Sequence, residues 1–137
     1  MNIDLAIIEG AKILKDKFVL NPYLDSEILM TKIIKKNREY ILLNSNQNLN
    51  EKDFINFIEL IEKRSNGSPI AYLTNKKLFW DSEFFITKDI LIPRPDTEIV
   101  VENVLKLTKN KNKINILDIG IGSGCILLSI LRERQDF

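Results

Sequence analysis

Three of the five glycines in the chain lie within five residues, in the run Gly120-Ile121-Gly122-Ser123-Gly124. The apolar stretch 114–119 before this run is typical of a β-strand, and the apolar stretch 125–131 after it is typical of a helix. Clustered glycines permit a tight turn and a close approach of the main chain to a ligand, and the start of a helix offers free N–H groups. The run predicts a loop that holds a nucleotide-like cofactor. The residues alone leave one alternative, a strand-to-helix turn without a ligand.

A second candidate is the run Pro93-Arg94-Pro95-Asp96-Thr97-Glu98. Its two prolines restrict φ and stiffen the loop, and its guanidinium and carboxylates can bind a polar ligand. Such a loop can form a rigid wall of a binding site. The alternative is structural: Arg94 pairs with Asp96 or Glu98 to hold the loop, and Asp96 caps the helix that follows.

The order and spacing of these motifs resemble a known family. Asp118 and the glycine run form D-x-G-x-G-x-G, which resembles the first motif of class I S-adenosylmethionine-dependent methyltransferases. The Pro93 to Glu98 block lies upstream, preceded by Ser68-Pro69-Ile70-Ala71-Tyr72-Leu73-Thr74 and Leu78-Phe79-Trp80. Together these blocks resemble the protein glutamine N5-methyltransferases of the HemK/PrmC type, which modify peptide chain release factors.

The resemblance implies S-adenosylmethionine as cofactor and a set of residues that bind it. The expected cofactor-binding residues are Gly120, Ile121, Gly122, Ser123, Gly124, Asp118, Pro95, Thr97 and Glu98. Asp118 is expected to act by orienting the glycine loop through backbone N–H groups. The family's catalytic run, Asn-Pro-Pro-Tyr, does not occur in this sequence, so no catalytic residue is assigned to the chain.

The implied activity is methylation of the side-chain amide N5 of glutamine in the Gly-Gly-Gln motif of class 1 peptide chain release factors. The chain is expected to be a truncated part of such an enzyme and inactive by itself. Two alternatives remain open. One is an N6-adenine nucleic-acid methyltransferase, which has a similar glycine loop. The other is a non-catalytic fragment that acts only as a binding module.

The remaining patterns predict the elements that position these candidates. Apolar residues at helical spacing predict a first helix capped by Asp4, a second that begins at Pro22 and a third after Asn50. Two aromatic runs separated by Asp81-Ser82 predict a β-hairpin. Its aromatic side chains, Phe79, Trp80, Phe84 and Phe85, are expected to pack between the two domains. The alternative is an aromatic surface that binds a partner.

The predicted fold is an α-helical N-terminal bundle and a β-hairpin linker, followed by the first βα unit of an α/β class I (Rossmann-like) methyltransferase domain. We assign residues 1–67 to a helical substrate-recognition domain and residues 68–92 to the hairpin linker. Residues 93–137 are assigned to the truncated start of the methyltransferase domain.

Composition excludes several classes of function. The net charge of +1 argues against DNA or an anionic membrane as the main partner. The chain has no His and one Cys, which excludes histidine triads, zinc hydrolysis and an internal disulfide. We therefore expect no metal, no membrane and no DNA as partners, and a cytoplasmic location.

Overall fold

The predicted helices form, and they occupy most of the first half of the chain. The computed structural model describes residues 1–111 and 113–134, and the chain divides into two compact units, Met1–Thr74 and Asn75–Phe137. The helical unit contains α1 Ile3–Asp16, α2 Pro22–Ile34, α3 Arg38–Leu43, α4 Glu51–Ser65 and α5 Ile70–Thr74. The second unit contains β1 Lys76–Phe79, β2 Ser82–Phe85, a 3-10 turn at Pro95–Thr97, α6 Glu98–Thr108 and α7 Cys125–Glu133.

Asparagine side chains begin three of the helices. The Oδ1 atoms of Asn2, Asn37 and Asn50 accept hydrogen bonds from backbone N–H groups three residues later, at 2.9, 2.9 and 2.7 Å. These bonds satisfy N–H groups that have no partner inside the helix. The cap predicted at Asp4 is therefore wrong, because Asn2 supplies the accepting oxygen and the helix already begins at Ile3.

The core of the helical unit lies where α1 meets α2 and α4. Its buried side chains come from all three helices and from the short α3 and α5: Ile3, Ala6, Ile7, Leu14, Leu29, Met30, Ile41, Phe57, Ile61 and Leu73. Gly10 lies at the closest approach. A Cβ atom there would stand 2.7 Å from Ser26 Oγ, 2.8 Å from Phe57 Cζ and 2.9 Å from Ile61 Cδ1, so no larger residue fits without displacement.

Two carboxylates at the border of this core are paired with arginines. Arg64 Nε donates to Asp25 Oδ2 at 2.7 Å, and Arg38 Nε donates to Glu27 Oε2 at 2.7 Å. Asp25 and Glu27 are both buried residues, and an unpaired charge at such positions is strongly unfavourable. Burial also raises the pKa of Tyr23, with smaller contributions from the carboxylates of Asp4 and Glu27.

The second unit begins with the predicted hairpin. Strands β1 and β2 pair antiparallel, with Lys76 opposite Phe85 and Phe79 opposite Ser82, so the turn is Trp80-Asp81, one residue earlier than predicted. Side chains alternate across a strand. The rings of Phe79 and Phe84 are accordingly buried and in edge-to-face contact at 6.2 Å, whereas Phe85 is 70% exposed.

The predicted βα unit is present in part. The helix after the glycine run forms as α7, but residues 114–118 pair with no strand within the described part of the chain. A strand is defined by its ladder of hydrogen bonds to a neighbour, so this stretch is not a strand here and the Rossmann-like unit stays a prediction. No helix among residues 1–111 and 113–134 is long and apolar enough to cross a membrane.

The Gly10 site predicts the effect of adding one methyl group. We expect Gly10→Ala to lower the free energy of unfolding of the helical unit by about 1–2 kcal/mol. Overpacking loses about 1–3 kcal/mol, while the better helix propensity of alanine recovers about 1 kcal/mol at most. Urea unfolding followed by circular dichroism measures the change. Lys12→Ala, on the exposed side of the same helix, is the control, and equal stability of the two variants would contradict the close packing.

Two fully buried serines on helices predict opposite effects of the same substitution. Ser26 Oγ donates to the carbonyl of Ile7 at 2.8 Å, whereas Ser129 Oγ is buried without a hydrogen-bond partner among the described residues. Ser26→Ala should reduce stability by about 1 kcal/mol, because a buried hydrogen bond is lost. Ser129→Ala should raise it by about 1 kcal/mol, because an unsatisfied hydroxyl is removed and alanine favours helix.

Each serine variant serves as the control for the other. Unfolding of the unit that contains Ser129 is followed by the fluorescence of Trp80, the single tryptophan of the chain, and unfolding of the unit that contains Ser26 by circular dichroism. A destabilising Ser129→Ala would mean that its hydroxyl has a partner after all.

Candidate cofactor site

The glycine run forms a loop that only glycine adopts easily. Gly120, Gly122 and Gly124 have φ values of +83°, +54° and +76°, all in the left-handed region that side chains disfavour by about 1–2 kcal/mol per residue. Gly124 N–H donates to the carbonyl of Ile121 at 2.8 Å, and Gly124 is also the N-cap residue of α7. The alternation of three left-handed residues explains the G-x-G-x-G spacing.

The space beside this loop is open at Gly120 and Gly122, whereas a Cβ atom at Gly124 would stand 3.2 Å from Leu128 Cδ1. A Cβ atom at Gly120 would meet nothing within 4 Å, and one at Gly122 would approach only the carbonyl oxygen of Gly120, at 3.8 Å. The backbone N–H groups of the first turn of α7 have no partner inside the helix. A ligand can therefore approach the main chain closely on the loop side and meet N–H donors at the helix start.

The remaining loop residues differ in exposure. Ile121 is 52% exposed and Ile119, just before the loop, is 87% exposed, so the loop region carries two exposed apolar side chains. Ser123 is half-buried and Cys125 is buried, the latter as expected for a small residue inside a helix. The loop thus offers both backbone donors and apolar contact surface.

Asp118 lies two residues before the loop and is half-buried. Among the described residues, no hydrogen bond joins its carboxylate to a backbone N–H group of the loop. In this structure Asp118 therefore does not orient the glycine loop through a direct hydrogen bond from its carboxylate, and the predicted orienting role stays a prediction. Its carboxylate is available to a ligand or to a residue outside the described ranges.

The Pro93 to Glu98 block forms a 3-10 turn at Pro95–Thr97 that continues directly into α6. Thr97 N–H donates to the carbonyl of Arg94 at 3.0 Å. Pro95 is exposed, and Thr97 and Glu98 are half-buried. Arg94 is exposed and makes no ion pair with Asp96 or Glu98 in the described part of the chain, so the turn is held by proline geometry and backbone bonding rather than by a salt bridge.

Glu98 has a structural partner that the sequence did not reveal. Its Oε1 atom accepts a hydrogen bond from the backbone N–H of Trp80 at 2.8 Å. Trp80 is in the left-handed region at φ +53°, which costs about 1–2 kcal/mol for a non-glycine residue. A hydrogen bond to a charged group contributes about 1.5–3 kcal/mol and offsets that cost. Glu98 therefore stabilises the hairpin turn, and Oε2 is left for other contacts.

The two predicted halves of the site are not joined directly. Within residues 1–111 and 113–134, no hydrogen bond or ion pair connects the glycine loop to Pro95, Thr97 or Glu98. The loop belongs to the start of α7 and the proline turn to the start of α6, and these two helices pack against each other. The described residues therefore provide two separate features: a glycine loop with exposed backbone at the start of α7 and a rigid proline turn at the start of α6.

Sequence reasoning missed the contacts between the hairpin and α7. The indole N–H of Trp80 donates to Glu133 Oε1 at 2.8 Å, and Arg132 donates to Ser82 Oγ. Fifty or more residues separate the partners, so no local pattern indicates them. The only available signal was a lone tryptophan beside a hairpin turn, which we interpreted as a packing residue.

Comparisons with known proteins agree with the motifs. Residues 6–74, half of the chain, match the family model described as PrmC N-terminal domain. The release factor glutamine methyltransferase of Buchnera aphidicola subsp. Baizongia pistaciae is 41% identical over 116 residues, which cover 85% of this chain and 42% of that protein. The protein of the same name from Clostridium botulinum is 40% identical over 124 residues, covering 90% of this chain and 44% of that protein.

A bifunctional methyltransferase from Rickettsia typhi is also similar, with 35% identity over 146 aligned positions that cover 93% of this chain and 28% of the relative. The chain spans less than half the length of these relatives. The match to the family model lies in the helical unit, and the similarity to the relatives extends over most of the chain. The chain therefore belongs to the PrmC family, and residues 6–74 are its N-terminal domain.

Proposed function

We propose that this chain is part of an enzyme that methylates peptide chain release factors. The methyl group comes from S-adenosylmethionine, and the acceptor is the side-chain amide N5 of the glutamine in the Gly-Gly-Gln motif of class 1 release factors. The observation that carries the proposal is the left-handed glycine loop at the start of α7 in a chain of the PrmC family. The names of the curated relatives support the same substrate class.

The proposed cofactor site consists of the residues predicted from the motifs. Gly120 to Gly124 bring the main chain close to the cofactor, and the free N–H groups of α7 bind its carboxylate. Asp118 is proposed to bind a polar group of the same ligand. Pro95, Thr97 and Glu98 are proposed to form a second wall, with Glu98 contributing the oxygen that Trp80 does not use.

The chemistry needs positioning more than acid–base catalysis. S-adenosylmethionine supplies an activated methyl group on a sulfonium. An amide nitrogen is a weak nucleophile because its lone pair is delocalised into the carbonyl, so orientation of donor and acceptor provides most of the rate. The described residues hold the donor, and no catalytic residue for the acceptor is assigned to this sequence. A chain without His is compatible with this reaction.

The partners follow from the same proposal. The helical unit is proposed to recognise the release factor, and the second unit to hold the cofactor. The reaction takes place in the cytoplasm, where release factors act, and requires no metal, membrane or DNA. The chain itself is proposed to bind both ligands without transferring the methyl group, since it carries no Asn-Pro-Pro-Tyr run.

A matched pair of glycine variants tests the cofactor site. Gly120 and Gly67 both have left-handed φ, +83° and +93°, and at neither would a Cβ atom meet anything within 4 Å. Gly120→Ala should weaken S-adenosylmethionine binding about tenfold, because backbone strain of 1–2 kcal/mol and a methyl group enter the ligand space. Gly67→Ala introduces the same strain in the helical unit and should leave affinity unchanged. Isothermal titration calorimetry measures both, and equal affinities would contradict a site at this loop.

A release factor tests the substrate. The chain should bind a class 1 release factor in a calorimetric titration and should transfer no tritiated methyl group to it. A release factor whose Gly-Gly-Gln glutamine is replaced by alanine is the control for any transfer that does occur. Transfer to the native glutamine would contradict the proposed inactivity of the chain. Methylation of DNA alone would contradict the substrate, and failure to bind the release factor would contradict the role of the helical unit.

A further inference from the structure

Trp80 connects the hairpin to both helices of the second unit. Its backbone N–H donates to Glu98 Oε1, at the first residue of α6, and its indole N–H donates to Glu133 Oε1, at the last residue of α7; both distances are 2.8 Å. The two acceptors are charged, and hydrogen bonds to charged groups are stronger than neutral ones. One residue in a two-residue turn therefore bridges the start of one helix through its backbone and the end of the other through its side chain.

Further bonds hold the same end of α7. Arg132 donates to Ser82 Oγ on β2. Arg134, just after the helix, donates from Nη1 to the carbonyl of Thr108 and from Nη2 to the carbonyl of Lys111, both at 2.7 Å. These partners lie on the hairpin, at the last residue of α6 and in the turn just after it. The C-terminal end of α7 is therefore fixed by polar contacts from two directions.

The opposite end of α7 carries the glycine loop. Three left-handed glycines give a loop little stiffness of its own, because glycine has the greatest backbone freedom. Helix α7 has nine residues and is about 13 Å long at 1.5 Å per residue, so it behaves as a short rod. The polar contacts fix the C-terminal end of α7, and the buried Ile130 packs the helix against its neighbours. Together these contacts determine the position of the N-terminal end of α7 and of the glycine loop.

We propose that Trp80 is a positioning residue for the glycine loop. By holding Glu133, it sets the orientation of α7 and hence of the backbone N–H groups at the start of that helix. The backbone N–H of Trp80 also holds Glu98 at the start of α6, a contact that Trp80→Phe retains, so the variants test the indole bond to Glu133. This inference rests on the proposed function, because the loop is taken as the cofactor site. Trp80 acts through the two helices and does not itself contact the cofactor.

The variants separate the hydrogen bond from the bulk of the side chain. Trp80→Phe keeps an aromatic ring and loses the indole donor. Glu133→Leu loses the acceptor, whereas Glu133→Gln keeps an acceptor oxygen at the same reach and should restore the wild-type behaviour. Glu102→Leu removes an exposed carboxylate of α6 that pairs with Lys106 among the described residues, and it is the matched control.

Two measurements are made on the full chain. Hydrogen exchange without cofactor at the amides of Gly124 and Leu128, which donate to the carbonyls of Ile121 and Gly124, reports how often the loop and the start of α7 open. Calorimetry with S-adenosylmethionine reports the affinity. In Trp80→Phe and Glu133→Leu, we expect exchange of these amides to become about fivefold faster. The affinity for S-adenosylmethionine should fall about fivefold as well. A factor of about five corresponds to the loss of one hydrogen bond. Glu133→Gln and Glu102→Leu should resemble the wild type in both measurements.

The outcomes distinguish this inference from the proposed function. Unchanged exchange in Glu133→Leu would overturn the positioning role, and so would faster exchange with unchanged affinity. Loss of affinity in Glu102→Leu as well would overturn it, because the effect would then be one of surface charge. If the wild-type chain binds no S-adenosylmethionine, the proposed cofactor site is wrong, and the exchange data alone decide whether Trp80 positions the loop.

Discussion

The close approach of three helices at Gly10 is the constraint on which the helical unit depends. Because α1 has no side chain there, Ser26, Phe57 and Ile61 reach positions that a Cβ atom would occupy. The approach brings Ser26 within hydrogen-bond distance of the Ile7 carbonyl. The same packing places buried carboxylates of α2 beside arginines of α3 and α4. The close packing of the helical unit, which contains the part of the chain that matches the family model, thus depends on the absence of a side chain at Gly10.

Periodic features were predictable from the sequence. Apolar residues at helical spacing predicted the helices, since burial of one face is a local property that repeats along the chain. The hairpin was predicted from its aromatic runs, but its turn lies one residue earlier. Trp80 adopts the left-handed region there, as two-residue hairpin turns require, and Glu98, 18 residues away, accepts its N–H. A contact made at that distance leaves no periodic signal.

The backbone conformation of the candidate site was predictable from the sequence, whereas the hydrogen bonds made by its side chains were not. Glycine spacing predicts left-handed turns, and all three glycines have positive φ. The stretch 114–119 shows the opposite case. Its apolar residues are suitable for a strand, yet a strand needs a neighbouring strand, and hydrogen bonds across a ladder are not a property of one segment. The alternative in which Arg94 pairs with Asp96 or Glu98 is not seen among the described residues, because charge proximity in sequence does not fix side-chain geometry.

The asparagine caps have a consequence for the response of the fold to acid. Helices α1, α3 and α4 each begin with an amide oxygen that accepts a backbone N–H. An aspartate in the same position would lose its negative charge on acidification and with it part of its attraction to the helix start. A carboxamide has no proton to gain in that range. Asn50 also donates from Nδ2 to the Asp53 carboxylate at 2.8 Å. The bonds from the backbone N–H groups to the three asparagines have no titrating acceptor, so they persist under conditions that would weaken carboxylate caps.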